Sequence, residues 1–134
     1  IFKNTELLIF SPGTLYSSLL PTYISSGFKK ALFENKKIIK IFFTNIKNEQ
    51  DTQKYKAIDY VNKTLDYINV TNINERKYFF DRIYINRSKN SKSHDLVQFD
   101  EKINYNFPNI IVNKFYDKNF FHSIKKIAKI LDNF

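Results

Sequence analysis

Three polar clusters in this sequence follow apolar runs, and each holds side chains that can do chemistry. The first is Ser11-Pro12-Gly13-Thr14-Leu15-Tyr16-Ser17-Ser18, directly after Leu7-Leu8-Ile9-Phe10. Pro12-Gly13 predicts a tight turn out of a strand, and Gly13 lets backbone approach a ligand closely. Thr14, Ser17 and Ser18 add hydroxyls. The unpaired amides at the start of a following helix carry positive partial charge, so the segment can hold an anion such as phosphate. The same residues equally suit an ordinary strand-to-helix turn with a Ser or Thr cap. It is not a P-loop, because neither a second glycine nor a Lys-Ser/Thr pair follows.

The second cluster runs from Asn45 to Tyr55, with Asp59 just beyond it. Asn45 can bond a base or sugar from a strand end. Asp51 or Asp59 can bind a ribose hydroxyl, hold Mg²⁺ or act as a base. A solvated loop in which Asp51 or Thr52 caps the next helix accounts for the same residues. The third cluster is Asn86-Arg87. Of the two histidines, His94 lies in a Ser/Lys-rich surface loop and His122 near the start of the last helix, with no carboxylate at zinc-ligand spacing. The chain has no cysteine and no nucleophile-elbow motif.

The elements that must position these clusters alternate. Leu7–Phe10 reads as a strand buried on both faces. Leu15–Leu20 reads as a short helix broken at Pro21, and a second helix follows Gly27 with Phe28, Ala31 and Leu32 inward. Ile38–Phe43 is the second strand. Ile58, Val61, Leu65 and Ile68 share one face of the clearest helix, and residues 69–74 break it. Arg82–Asn86 and Ile110–Val112 complete four strands. A last helix, capped by Asp117 or Asn119, would point Ile124, Ile127, Ala128 and Leu131 inward. Strands alternating with helices predict an α/β fold: a mostly parallel sheet with helices on both faces, in one domain over residues 1–134. Ligands of such sheets bind at the carboxyl ends of the strands, where all three clusters fall.

The net charge of +9 invites a nucleic-acid reading. Composition argues against it. Lys occurs 19 times and Arg 3 times, with 18 Ile, 16 Asn and 14 Phe, the usage of a very AT-rich coding sequence. Readers of base edges favour Arg, which is scarce. No apolar stretch reaches the roughly 18 residues of a membrane span, and no secretory signal pattern occurs. The chain starts at Ile1 and runs almost at once into a strand, which reads as a start partway through a larger protein.

Ser11-Pro12-Gly13-Thr14-Leu15-Tyr16-Ser17-Ser18-Leu19-Leu20-Pro21 resembles the Gly-Pro-Gly-Ser-Leu-Tyr-Thr-Ser-x-x-Pro segment of the bacterial gluconeogenesis-factor proteins. These belong with the 2-phospho-L-lactate transferases in the CofD-like superfamily. The likeness continues in order. Gly27 and Ala31 fit a Gly-Ile-x-x-Ala stretch, and Thr44-Asn45-Ile46 fits Cys-Asn-Leu after the next strand. Asp51-Thr52 and Tyr55 fit Glu-Thr-x-Gly-Tyr, and Asp59 with Val61 fits Asp-His-Val. Ile83-Tyr84-Ile85-Asn86 fits Val-Leu-Val-Asn, and His122, Lys126 and Ala128 fit His-Asp-Pro-x-Lys-Leu-Ala. Ser11 stands for the family's first Gly, Tyr60 for its His and Ser123 for its Asp, and the loop after Asn45 is about one residue shorter without its Pro-Gly.

The resemblance is to the carboxyl-terminal part of such proteins, so it implies an incomplete half of a larger, Rossmann-like domain whose amino-terminal part is a partner of these residues. It implies a cytoplasmic protein that handles a nucleotide or sugar nucleotide. One set of relatives transfers a phospholactyl group from a nucleotide diphosphate donor to a deazaflavin with Mg²⁺; the other binds UDP-sugars and influences carbon use and cell-wall synthesis. The gluconeogenesis-factor side is the nearer by motif, with a transferase as the alternative. On this basis Asp51 and Asp59 are the candidate catalytic residues. Ser11, Pro12, Gly13, Thr14, Tyr16, Ser17 and Ser18 would form a phosphate turn. Asn45, Thr52, Tyr55, Asn86 and His122 would line the rest of the site. Mg²⁺ is the expected cofactor, with no flavin or NAD signature and no protein-only metal set. Exposed aromatics would favour a homo-oligomer.

Overall fold

The computed structural model describes residues 4–87, 95–99 and 105–134. Its centre is a four-stranded sheet, β1 (Leu7–Phe10), β2 (Ile39–Phe43), β3 (Arg82–Asn86) and β4 (Ile110–Asn113), in the order β1-β2-β3-β4. Every pairing is parallel, with Phe10 opposite Phe42, Phe42 opposite Ile83 and Asn86 opposite Asn113. β-Branched and aromatic residues fill these strands, as a pleated, largely covered surface requires.

Strands placed side by side in chain order, joined by right-handed crossovers, put their connections on one face of the sheet. That face carries the main core. Phe10, Phe42, Ile83 and Ile85 pack there with Leu20 and Tyr23 of α1 (Leu20–Tyr23) and Leu32 of α2 (Phe28–Glu34). Ile58, Val61 and Leu65 of α3 (Ala57–Tyr67) join them, and Ile68 at its end. Four phenylalanines lock the centre: the ring of Phe80 lies 5.0 Å from Phe10 and from Phe42, and 4.9 Å from Phe79. The opposite face is covered by α5 (Ile124–Leu131), whose Ile127, Ile130 and Leu131 pack on Ile41, Phe43, Tyr84 and Phe115. The expected α/β, Rossmann-like arrangement with helices on both faces is therefore observed.

Several local expectations are corrected. β1 is not buried on both faces: it is the edge of the described sheet, and Ile9 keeps 39% of its surface exposed. Pro21 does not break the first helix. A π-helical turn, Leu15–Leu19, precedes it, with Leu19 N donating to Thr14 O at 3.1 Å, and α1 continues through the proline. Pro21 then stands in the first turn of α1, where its missing N–H is tolerated. Residues 69–74 hold more than a break: Asn69 takes φ 61°, and Asn72 caps an additional helix, α4 (Ile73–Tyr78), by accepting from Asn74 N and Glu75 N. Neither Asp117 nor Asn119 caps α5. The chain turns once more, and the helix starts after Ser123, so its face is rotated from the expected one: Ile124 is 86% exposed and Ala128 is outward. His94 lies outside the described residues.

Candidate functional site

The carboxyl ends of β1, β2 and β3 bring the three polar clusters to one edge of the sheet, and the contacts there are specific. Residues 11–14 form no hydrogen-bonded tight turn of their own, contrary to the Pro-Gly signal. Asn45 shapes the segment instead. Its Oδ1 accepts from Gly13 N at 3.2 Å, and its Nδ2 donates to Gly13 O at 3.0 Å. Asn45 is 8% exposed, so its amide binds backbone rather than reaching outward to a base. Gly13 has no left-handed torsion. A Cβ there would stand 3.3 Å from Cδ2 of Leu19, a tight approach that a small shift of that side chain would relieve.

A second tie follows two residues on. Leu15 N, the first amide of the π-helical turn, donates to Oε2 of Glu49 at 3.3 Å. Glu49 is held by a compact turn: its N–H donates to Thr52 Oγ1 at 2.9 Å, and Thr52 N returns to Glu49 O at 3.0 Å. Thr52 is fully buried, with the Tyr60 hydroxyl 2.8 Å from its Oγ1. The same hydroxyl lies 3.0 Å from Asn48 Oδ1, and Asn48 Nδ2 donates to the carbonyls of Gln53 and Tyr55. A third tie is the hydrogen bond between the hydroxyls of Tyr16 and Tyr55. That bond, then burial, raises the Tyr55 hydroxyl to about 12. Thr52 is thus a strut of the loop, and Tyr55 the anchor of Tyr16. Ser11, Thr14, Ser17 and Ser18 are exposed beside these ties, and Pro12 is half-buried.

The two expected catalytic carboxylates part company. Asp59 accepts from Lys56 N at 2.7 Å and caps α3. Asp51 is exposed in the short turn Gln50–Thr52, next to Glu49. The carboxylate that touches the Gly13–Ser18 segment is Glu49, which is neither of the two expected. The spacing of Glu49 and Thr52, that of a reciprocal cap with the residue types reversed, marks the turn but not the contact with Leu15.

Asn86, at the end of β3, accepts from Phe115 N at 2.9 Å and is buried. His122 is not in a helix. Its Nε2 donates to Thr44 O at 3.2 Å, tying residues 116–122 to the end of β2. Burial lowers its pKa, opposed by that bond. The 116–122 loop is braced from within: Asp117 N donates to Phe121 O at 2.8 Å, and Asp117 Oδ1 accepts from Asn119 N and Phe121 N. Those two bonds, Phe121 N first, hold the Asp117 carboxyl below its usual range.

Among the described residues no three His, Cys, Asp or Glu side chains gather as a metal site. No described helix is long and apolar enough to cross a membrane. Residues 2–115 match the family model of 2-phospho-L-lactate transferase CofD. The chain belongs to the CofD family. The matched stretch contains the Gly13–Asn45 and Leu15–Glu49 ties and ends before the 116–122 loop. Two crystal structures of a Bacillus halodurans protein are similar in fold to this CofD-family chain. The first has a TM-score of 0.76 at 18% identity, over 97% of this chain and 44% of that one. The second, described as a member of the UPF0052 family, has a TM-score of 0.74 at 18% identity, over 96% and 43%. The CofD-family chain thus spans less than half the length of these relatives. No curated protein matches it.

Proposed function

We propose that this edge of the sheet binds the phosphates of a nucleotide diphosphate, and that the protein moves a phosphorus-linked group from that donor to an acceptor, as the description of its family suggests. The observation that carries this reading is the convergence of Gly13 and Leu15 on Asn45 and Glu49 at the carboxyl ends of β1 and β2, within the matched stretch. Strand ends followed by a helical turn are where α/β sheets usually hold phosphate, and with the Gly13 and Leu15 amides paired to Asn45 and Glu49 the donors left to it here are side-chain hydroxyls. Catalysis in such a site is mainly positioning and charge neutralisation. Thr14, Ser17 and Ser18 supply exposed hydroxyls to phosphate oxygens. Asn45 fixes the backbone of Gly13 rather than touching the ligand.

Mg²⁺ commonly binds through one or two carboxylates together with substrate phosphates, so the site does not need a cluster of acids. Glu49 and Asp51 are the carboxylates that suit it here, and when bound the ion would neutralise phosphate charge. A sugar-nucleotide binder without transfer is the second reading. It is favoured by the likeness of Ser11–Ser18 to the gluconeogenesis-factor segment and by the use of Asp59 as a helix cap. In either case the protein works in the cytoplasm, and the opposite wall of the cleft comes from the remaining length of a CofD-type chain or from a second copy.

Titration calorimetry against GDP, UDP-glucose and duplex DNA tests the proposal. Nucleotide binding that survives moderate salt supports it. Binding to DNA alone, with a steep salt slope, would replace it by a nucleic-acid role.

A further inference from the structure

We propose that Phe121 is the stacking platform for the nucleobase of the nucleotide whose phosphates meet the Gly13–Ser18 segment. The inference rests on the reading just given. Asn45 had been the natural partner for a base, but both ends of its amide are taken by Gly13. Tyr16 and Tyr55 are tied to each other through their hydroxyls, whereas Phe121 is 64% exposed.

Its placement is built. His122, the next residue, is bonded to Thr44 O, and Thr44 directly precedes Asn45. From the same β2 loop, Lys47 sets its Nζ 5.1 Å from the centroid of the Phe121 ring. The loop is also strained. Phe120 holds φ 58°, a left-handed torsion that bulky residues rarely adopt, and the Asp117 carboxylate braces the turn on both sides of it. The ring of Tyr116 stacks on Phe120 at 5.1 Å, which fixes that neighbour and leaves Phe121 as the presented one. Strain of this kind persists where surrounding structure enforces it, and it gathers at ligand clamps.

The chemistry favours a flat anion over an apolar protein surface. Covering the ring with apolar side chains would strip water from the Lys47 ammonium without a compensating charge. A nucleotide supplies both needs: a π-face for the ring and a phosphate for the ammonium.

The chain has no tryptophan, so Phe121→Trp creates a single tryptophan that can be excited apart from the nine tyrosines. GDP, UDP and inorganic pyrophosphate are the probes. GDP and UDP are expected to quench its emission on binding, and pyrophosphate is expected to bind without quenching. Phe121→Ala, at an exposed position, should weaken GDP and UDP about tenfold, the scale of one base stacked on an aromatic ring, and leave pyrophosphate affinity unchanged. If pyrophosphate binds but Phe121→Ala leaves nucleotide affinity unchanged, the platform is wrong and the phosphate site stands. If no probe binds, both ideas fail. Emission that is blue-shifted without ligand and unmoved by nucleotide would mean that a protein surface covers the ring, and it overturns the proposal.

Discussion

The side-chain amide of Asn45 grips the peptide of Gly13 from both sides, accepting from its N–H at 3.2 Å and donating to its carbonyl at 3.0 Å. This links the segment after β1 to the end of β2 across 32 positions of chain. It replaces the turn hydrogen bond that Pro12-Gly13 would otherwise provide.

Asn45→Ala should therefore damage stability and site together. Two backbone groups lose their partner in a half-buried place, and a loss of about 1–3 kcal/mol is expected from urea melts. Asn45→Asp keeps the acceptor for Gly13 N but sets an anion against Gly13 O. It should be no better than alanine. A melt of Asn45→Ala indistinguishable from wild type would show that the clasp is not maintained in solution.

Glu49 occupies the amide of Leu15 that a phosphate oxygen would use. Neutralising it should remove competition. Glu49→Gln is predicted to bind inorganic pyrophosphate several-fold more tightly than wild type in the absence of Mg²⁺, and to gain less when Mg²⁺ is added. Calorimetry with and without Mg²⁺ reads both effects; equal affinities for the two proteins in each condition would remove Glu49 from the site.

Asp59 illustrates how a residue that fits a motif can be used structurally. Its carboxylate caps α3 through Lys56 N. Asp59→Ala should cost about 1 kcal/mol, the usual worth of such a cap, with nucleotide affinity unchanged. A large loss of affinity at unchanged stability would return Asp59 to the ligand.

The sheet was legible because its strands are short β-branched and aromatic runs closed by polar punctuation, and Arg82–Asn86 falls where that pattern places it. The face of α3 was legible for a similar reason, since Ile58, Val61 and Leu65 repeat at helical spacing. Elements set by weak or non-local signals were not. α4 has no buried residue to reveal a period, and only the Asn72 cap marks it. Pro21 and Asp117 carry strong local preferences, but a π-helical turn accommodates the first and a loop uses the second. Ile9 looked like core because it lies in the continuous apolar run Leu7–Phe10, whereas exposure depends on the strand's place at the edge. At the site, residue types identified the neighbourhood; which carboxylate faces Leu15 depends on contacts 34 positions apart.

His122 gives a pH signature. Burial lowers its pKa from the model-peptide value of 6.5, so the neutral ring is the folded form. The stability it contributes is present above that value and is lost as pH falls through the depressed folded pKa. Proton NMR titration should find His122 titrating below 6.5. A His122 midpoint at 6.5 would mean that the ring is solvated, and one above it that the bond to Thr44 O outweighs burial.

Phosphate is proposed to meet this chain at the carboxyl ends of β1 and β2. Backbone amide shift mapping with GDP and with pyrophosphate tests it most directly. Both ligands should move Gly13, Thr14, Leu15, Tyr16 and Ser17 most, together with Asn45 and Glu49, and GDP alone should add shifts at Phe120 and Phe121. Shifts confined to the opposite edge of the sheet, or spread evenly over exposed lysines, would rule out a phosphate site at these strand ends.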